Sequence, residues 1–244
     1  SCSVNDQCDK RDTITMKKFI HLLLALITAT AGIVGMSGTA SAANLESPGY
    51  MAPGTMYLNT TQDSTCSFAF LLANTARPEF LTAGHCGNVG DKVGIEINGV
   101  IEHVGEFVWS NEYDGFGTHD AAVIRITEGG YRYTGAVAMM DLLPSSVTRH
   151  STLVTGRPTV CAVGFVSGLS CGPYVTDSRN SNNIDFKFHS RKGDSGGPVF
   201  IVDNDGKVHA AGIISGVPFA LGEGYARIQS LDFPMDTGYA IAKS

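Results

Sequence analysis

The sequence predicts an all-β protein in two halves, and three observations carry that expectation. Glycine is abundant, 29 in 244 residues, and scattered without repeat, which suits many short strands joined by tight turns. Short apolar or alternating runs bounded by Gly, Asn or Asp recur along the chain, while helical periodicity is scarce. Around Leu143-Pro144 the chain divides into two stretches of similar length and character.

In the first half the strand-like runs are 65–72, 80–82, 92–97, 100–107 and 121–126. In the second they are 151–155, 159–165, 184–189, 197–202 and 208–214. Asp203-Asn204-Asp205-Gly206 separates the last two runs and predicts a hairpin turn, because Asn and Gly adopt positive φ at little cost. Residues 230–242 predict a short C-terminal helix, interrupted by Pro234.

With 43% hydrophobic and 16% charged residues, the chain can bury the core of one or two modest domains. A net charge of −6 and the absence of any Lys/Arg run argue against nucleic acid as a partner. Met16-Lys17-Lys18, the apolar run 19–36 and Ala40-Ser41-Ala42 form the basic head, apolar middle and small-x-small end of an export signal. Residues 16–42 are therefore read as a signal peptide cleaved before Ala43, and residues 1–15 as non-native upstream sequence. A retained membrane anchor is disfavoured by the Gly, Ser and Thr within the run. The expected product is extracellular, monomeric and without stable membrane association. Residues 43–244 form its working domain, with halves at about 54–143 and 144–235.

Cysteine usage agrees with export. Cys66, Cys86, Cys161 and Cys171 remain after the signal, an even number that suits two disulfides, and spacing alone allows three connectivities. No Cys-x-x-Cys pair supports a metal site, and no metal or cofactor is expected.

Three stretches carry chemistry: Leu81-Thr82-Ala83-Gly84-His85-Cys86, then His119-Asp120-Ala121-Ala122-Val123, then Gly193-Asp194-Ser195-Gly196-Gly197-Pro198. A serine hydroxyl is a poor nucleophile at neutral pH and needs an adjacent base, which His85 can supply. An imidazole in that role needs a carboxylate to orient it and stabilise its protonated form, the role expected of Asp120. Ser195 is the candidate nucleophile. Glycines around it let the backbone N–H groups of Gly193 and Ser195 approach a developing oxyanion. Gly-x-Ser-x-Gly also fits the nucleophile elbow of lipases and esterases, but those folds place Asp and then His after the serine. Here only His209 follows Ser195, and it follows too soon.

Thr-Ala-Gly-His-Cys and Gly-Asp-Ser-Gly-Gly-Pro resemble the signature stretches of the chymotrypsin-like (trypsin-like) serine proteases. The likeness spans about residues 55–229 and looks closest to the small bacterial members, the streptogrisins and alpha-lytic protease. It implies two six-stranded antiparallel β-barrels with the active site in the cleft between them. It also implies disulfides Cys66–Cys86 and Cys161–Cys171, and hydrolysis of peptide or protein substrates through an acyl-enzyme. A catalytically inactive, protease-like binding or adhesion protein is the alternative.

Several positions depart from the family pattern. Asp194 precedes the nucleophile and lacks both a freed N-terminal amine and the Arg that small bacterial members place just after the first hairpin cysteine. That position is Ala162, and Arg157 is the expected substitute partner. The stretch between Ala43 and the first strand leaves no room for the large pro-segment of close relatives. By resemblance the pocket floor is His189, followed by Ser190. The wall is Ser215-Gly216-Val217, where Val217 replaces a glycine and favours small substrate side chains. If Tyr225 matches the family's pocket Tyr, Glu223 enters the pocket and attracts Lys or Arg. Asn59-Thr60-Thr61 matches an N-glycosylation acceptor and is taken as incidental.

Overall fold

A computed structural model describes residues 50–111, 119–177 and 182–244. The expected upstream segment and export signal, residues 1–42, lie outside the described residues.

The first half contains β1 (Tyr50–Met51), β2 (Met56–Asn59), β3 (Ser64–Ser67), β4 (Glu79–Thr82), β5 (Lys92–Ile97), β6 (Val100–Asn111) and β7 (Ala121–Ile126). Six of these curl into one antiparallel sheet in the order β3-β2-β5-β6-β7-β4. Its two edges are joined where the chain leaving β3 bonds to β4: Ala69 N–H to Leu81 O at 2.7 Å and Leu81 N–H to Phe70 O at 2.9 Å. Curling brings one face of every strand inward. Tyr57, Phe68, Phe80 and Phe107 fill that interior, fully buried, with the Tyr57–Phe68 and Phe68–Phe80 ring centroids 4.8 and 5.0 Å apart. Such tilted pairs add to the gain from burial.

After β8 (Arg132–Tyr133), which pairs in parallel with β1, the chain enters the second half through β9 (Pro144–Val147). Helix α1 (His150–Gly156) follows, then β10 (Thr159–Gly164), β11 (Gly168–Asp177), β12 (Asn183–Phe186), β13 (Pro198–Val202), β14 (Val208–Gly216), β15 (Ala226–Ser230) and helix α2 (Asp232–Asp236). The order β13-β10-β11-β12-β15-β14 closes into a six-stranded antiparallel barrel because β13 also pairs with β14. β9 adds to this barrel parallel to β14. Asp203 N–H bonds to Lys207 O at 3.0 Å in the expected hairpin turn, and Gly206 takes φ +78°.

Two expectations need correction. Residues 151–155 form helix α1, not a strand, despite their β-branched residues. Thr155 Oγ1 satisfies itself on Ser151 O at 2.7 Å, a back-bond that lets threonine sit in a helix, and Leu153 drives into the second core. Arg157, in the left-handed conformation, ends the helix by bonding its N–H to Leu153 O. The C-terminal helix covers only Asp232–Asp236, and Ser230 belongs to β15. Pro234 lies inside its first turn, where no intrahelical acceptor awaits an N–H.

Candidate active site

Antiparallel pairing brings His85 and Asp120 together. Thr82, the last residue of β4, lies opposite Ala122 of β7. The chain therefore leaves β4 toward His85 at the same rim where it enters β7 from Asp120. His85 occupies a single 3-10 turn, Gly84–Cys86. A side chain at Gly84 would collide with the carbonyl of Asn111, so only glycine lets this turn sit between the ends of β6 and β7.

His85 Nδ1 lies 3.0 Å from Asp120 Oδ2 and 3.1 Å from Oδ1, and the His85 backbone N–H donates to Oδ1 at 2.9 Å. Ser215 Oγ, at the end of β14, donates to Asp120 Oδ2. The Asp120 N–H donates to Oε1 of fully buried Gln229 at 2.9 Å. Asp120 is thus gripped by both barrels while its side chain is 1% exposed. Burial raises the Asp120 carboxyl, but its hydrogen bonds and the His85 charge prevail and hold it below the usual carboxylate range. Burial pulls His85 down, yet the hydrogen bond and charge of Asp120 prevail and raise it above the usual imidazole range.

Ser195 is half-buried in the loop between β12 and β13. Its carbonyl accepts from Ser67 N–H at 2.8 Å and lies 4.0 Å from Cys86 Sγ, so the loop abuts the turn that carries His85. A disulfide joins Cys66 at the end of β3 to Cys86 in that turn, and another joins Cys161 to Cys171, directly opposed on β10 and β11. Cys66, His85 and Cys86 place potential metal ligands within 4.8 Å of one another. Both sulfurs are tied in the disulfide, so neither is available as a thiolate ligand.

Asp194 is fully buried, and its partner is not Arg157. Its Oδ1 accepts the N–H groups of Val166 and Ser167 at 2.7 and 2.9 Å, and its Oδ2 accepts that of Arg191 at 2.7 Å. Backbone dipoles therefore compensate the carboxylate, each bond strengthened by its charge. The Arg157 guanidinium instead lies over the Tyr174 ring, 5.3 Å from its centroid. Gly193 takes φ +102° and Gly196 φ +87°, conformations that glycine reaches most easily. Among the described residues, neither the Gly193 N–H nor the Ser195 N–H has an acceptor.

A cleft of about 370 Å³ beside His85 and Asp120 is walled by Ser215, Gly216 and Val217, with fully exposed Phe219 at its edge. His189, Ser190 and Glu223 do not line it. His189 and Glu223 are exposed and Ser190 is half-buried. The His189 N–H donates to Ser170 Oγ at 3.2 Å, and its ring packs beside Gly224. Asn59 is fully buried; its Nδ2 donates to Cys86 O and Asp91 Oδ2, and its Oδ1 accepts from Thr61 and Gln62. That side chain serves the fold and offers no free amide for a glycan.

Sequence reasoning missed Gln229, Ser67 and the amides of residues 166–167. Ser67 had a signal, since it directly follows a disulfide cysteine. The others come from strand pairing and turn geometry, which no short motif encodes.

A closed barrel, a curled barrel-like sheet and a His–Asp pair beside a glycine-bracketed serine define the double-barrel serine protease class. The family model described as Trypsin matches residues 46–231, and the chain belongs to that family of serine endopeptidases. Three solved structures share its fold. Thermobifida fusca Protease A has 22% identity and a TM-score of 0.59, covering 80% of this chain and 100% of its own. Nocardiopsis Protease has 24% identity and a TM-score of 0.57, covering 79% and 99%. A structure titled as a glutamic acid specific serine protease that uses a histidine triad in substrate binding has 22% identity and a TM-score of 0.61, covering 79% and 100%. No curated protein matches the chain significantly. Peptides or proteins are the substrate class that the family implies. The two disulfides suit an oxidising compartment. Among the described residues, no helix is long and apolar enough to cross a membrane.

Proposed function

We propose that the protein is a secreted, monomeric serine endopeptidase that cleaves peptide bonds through an acyl-enzyme on Ser195. Ser195 Oγ attacks the scissile carbonyl carbon while His85 takes its proton. The C–N bond then breaks as His85 returns that proton to the leaving amine. Water repeats the sequence to release the acid. Asp120 holds the imidazole in the required tautomer and stabilises its protonated form. The Gly193 and Ser195 N–H groups bind the oxyanion, where preorganised donors contribute most.

The observation that carries this reading is the His85–Asp120 pair, clamped at 2.9–3.1 Å beside a nucleophile loop with two N–H groups that have no acceptor among the described residues. Against the inactive-protein alternative, the Asp194 carboxylate has three backbone N–H partners in place of a cation. Val217 on the cleft wall favours small side chains next to the scissile bond.

Treatment with a fluorophosphonate serine-hydrolase probe tests the mechanism. Labelling is expected and is abolished by Ser195→Ala; a folded protein that takes no label is a binding module instead. Profiling with a peptide library tests specificity, and a dominant Lys or Arg preference would assign Glu223 to the pocket in place of the Val217 restriction.

A further inference from the structure

Ser67, which lies outside the three motif stretches, bonds to the nucleophile loop at two points. It belongs to β3 in the first barrel, directly after Cys66, and is fully buried. Its N–H donates to Ser195 O at 2.8 Å, and its hydroxyl donates to Gly193 O at 2.9 Å. With its single proton so committed, the hydroxyl accepts the N–H of Phe165 from the second barrel at 3.1 Å.

Those contacts fall on alternate peptide groups of the loop. The carbonyls of Gly193 and Ser195 turn toward Ser67, while the N–H groups of the same two residues have no acceptor among the described residues. A peptide group is planar, so holding the two outer peptide planes limits rotation of the plane between them. The Gly193–Asp194 plane is fixed at both ends, since Asp194 N–H bonds to Arg191 O at 3.0 Å. Ser67 is itself braced. Thr82 Oγ1 donates to Ser67 O at 3.0 Å, and Tyr57 OH lies 2.8 Å from Thr82 Oγ1. Successive N–H groups of the β10–β11 turn complete the grip: Phe165 through the Ser67 hydroxyl, Val166 and Ser167 through Asp194.

We propose that Ser67 is a positioning residue for the oxyanion hole, its hydroxyl bridging the two barrels so that the Gly193 and Ser195 N–H groups stay aimed at the substrate carbonyl. This rests on the reading of Ser195 as the nucleophile. The hydroxyl touches no reacting atom and acts only through the loop.

Ser67→Ala tests it, because the variant keeps the N–H bond to Ser195 O and loses only the hydroxyl bridge. Removing an oxyanion donor outright costs about 100- to 1000-fold in kcat, and loosening one is expected to cost about 10- to 100-fold. KM should stay within about twofold, and affinity for a peptide aldehyde, whose hemiacetal oxygen occupies the hole, should fall by the same factor as kcat/KM. The pH midpoint of kcat/KM should not move, since His85 and Asp120 are untouched. Should Ser67→Ala fail to fold, Ser67→Gly also lacks the hydroxyl while keeping the N–H bond to Ser195 O, and carries the same comparison. A folded variant with unchanged kcat and aldehyde affinity overturns the proposal. So does a loss that tracks only the folded fraction. Wild-type protein that neither cleaves peptides nor takes a fluorophosphonate overturns the underlying reading instead.

Discussion

The Asp194 carboxylate fills the space that a Cβ on Gly164 would need, so the last residue of β10 must be glycine for the nucleophile loop to close. This contact, with the Val166 and Ser167 N–H bonds to the carboxylate, ties the loop to the β10–β11 turn, while the Arg191 N–H bond closes the loop on itself. Gly164→Ala should destabilise the fold by about 1–3 kcal/mol through overpacking and lower kcat/KM at least about tenfold by displacing an oxyanion donor. Thermal melts and steady-state kinetics on the purified variant check both.

Asp194→Asn should cost about 1–3 kcal/mol, because an amide placed at Oδ2 would point N–H toward the Arg191 N–H and leave both donors unsatisfied, the amide buried and the Arg191 N–H partly so. Arg157→Ala should leave kcat/KM within about twofold and lose only the contact with Tyr174, worth about 0.5–1 kcal/mol. A large activity loss in Arg157→Ala, measured beside Asp194→Asn, would restore an Arg157–Asp194 link.

In the proposed mechanism neutral His85 is the competent base, and its folded pKa is raised. kcat/KM should therefore climb with pH through a midpoint above about 6.5. Asp120→Asn removes the hydrogen bond and charge that raise it and leaves burial to lower it, so the midpoint should move down as kcat collapses. In stability the pair has two signs. The raised His85 contributes below the unfolded imidazole pKa and loses that contribution as pH rises through its folded value. The depressed Asp120 contributes above the unfolded carboxylate pKa and loses it as pH falls through its folded value. Denaturant melts across pH, with and without Asp120→Asn, separate the two.

Replacing both Cys66 and Cys86 by Ala opens a loop spanning 20 residues and should cost about 3 kcal/mol. It should also depress activity, since Cys86 adjoins His85. The Cys161–Cys171 bridge spans 10 residues of an already paired hairpin, and its loss should cost about 0.6 kcal/mol less on loop length alone. Urea titrations of the two double variants give the ranking.

Gln229→Leu leaves the buried Asp120 N–H without an acceptor, which should cost about 1–3 kcal/mol. It should also reduce kcat by letting Asp120 drift from His85. If kcat is unchanged in a correctly folded Gln229→Leu protein, Ser215 and the His85 N–H hold Asp120 unaided.

Much of this protein is written in its sequence. Glycine punctuation and two-residue alternation mark most strands, because a half-buried pleated surface needs that period. The stretches at His85, Asp120 and Ser195 mark the proposed chemistry, because each role restricts residue type. Residues 151–155 misled, since β-branched side chains favour strands but a buried Leu153 and a threonine back-bond favoured a helix. Strands β9, β11 and β15 carry no clear apolar run of their own and take their place from pairing with neighbours.

What the sequence determined by itself is therefore the candidate reacting groups and the β character of the frame around them. How Asp194 is neutralised and how the oxyanion loop is held were decided by tertiary structure. The groups responsible are backbone amides at 165–167 and 191 and the Ser67 hydroxyl. A backbone N–H is the same in every non-proline residue, so no side-chain pattern records where it points; only the folded path of the chain does.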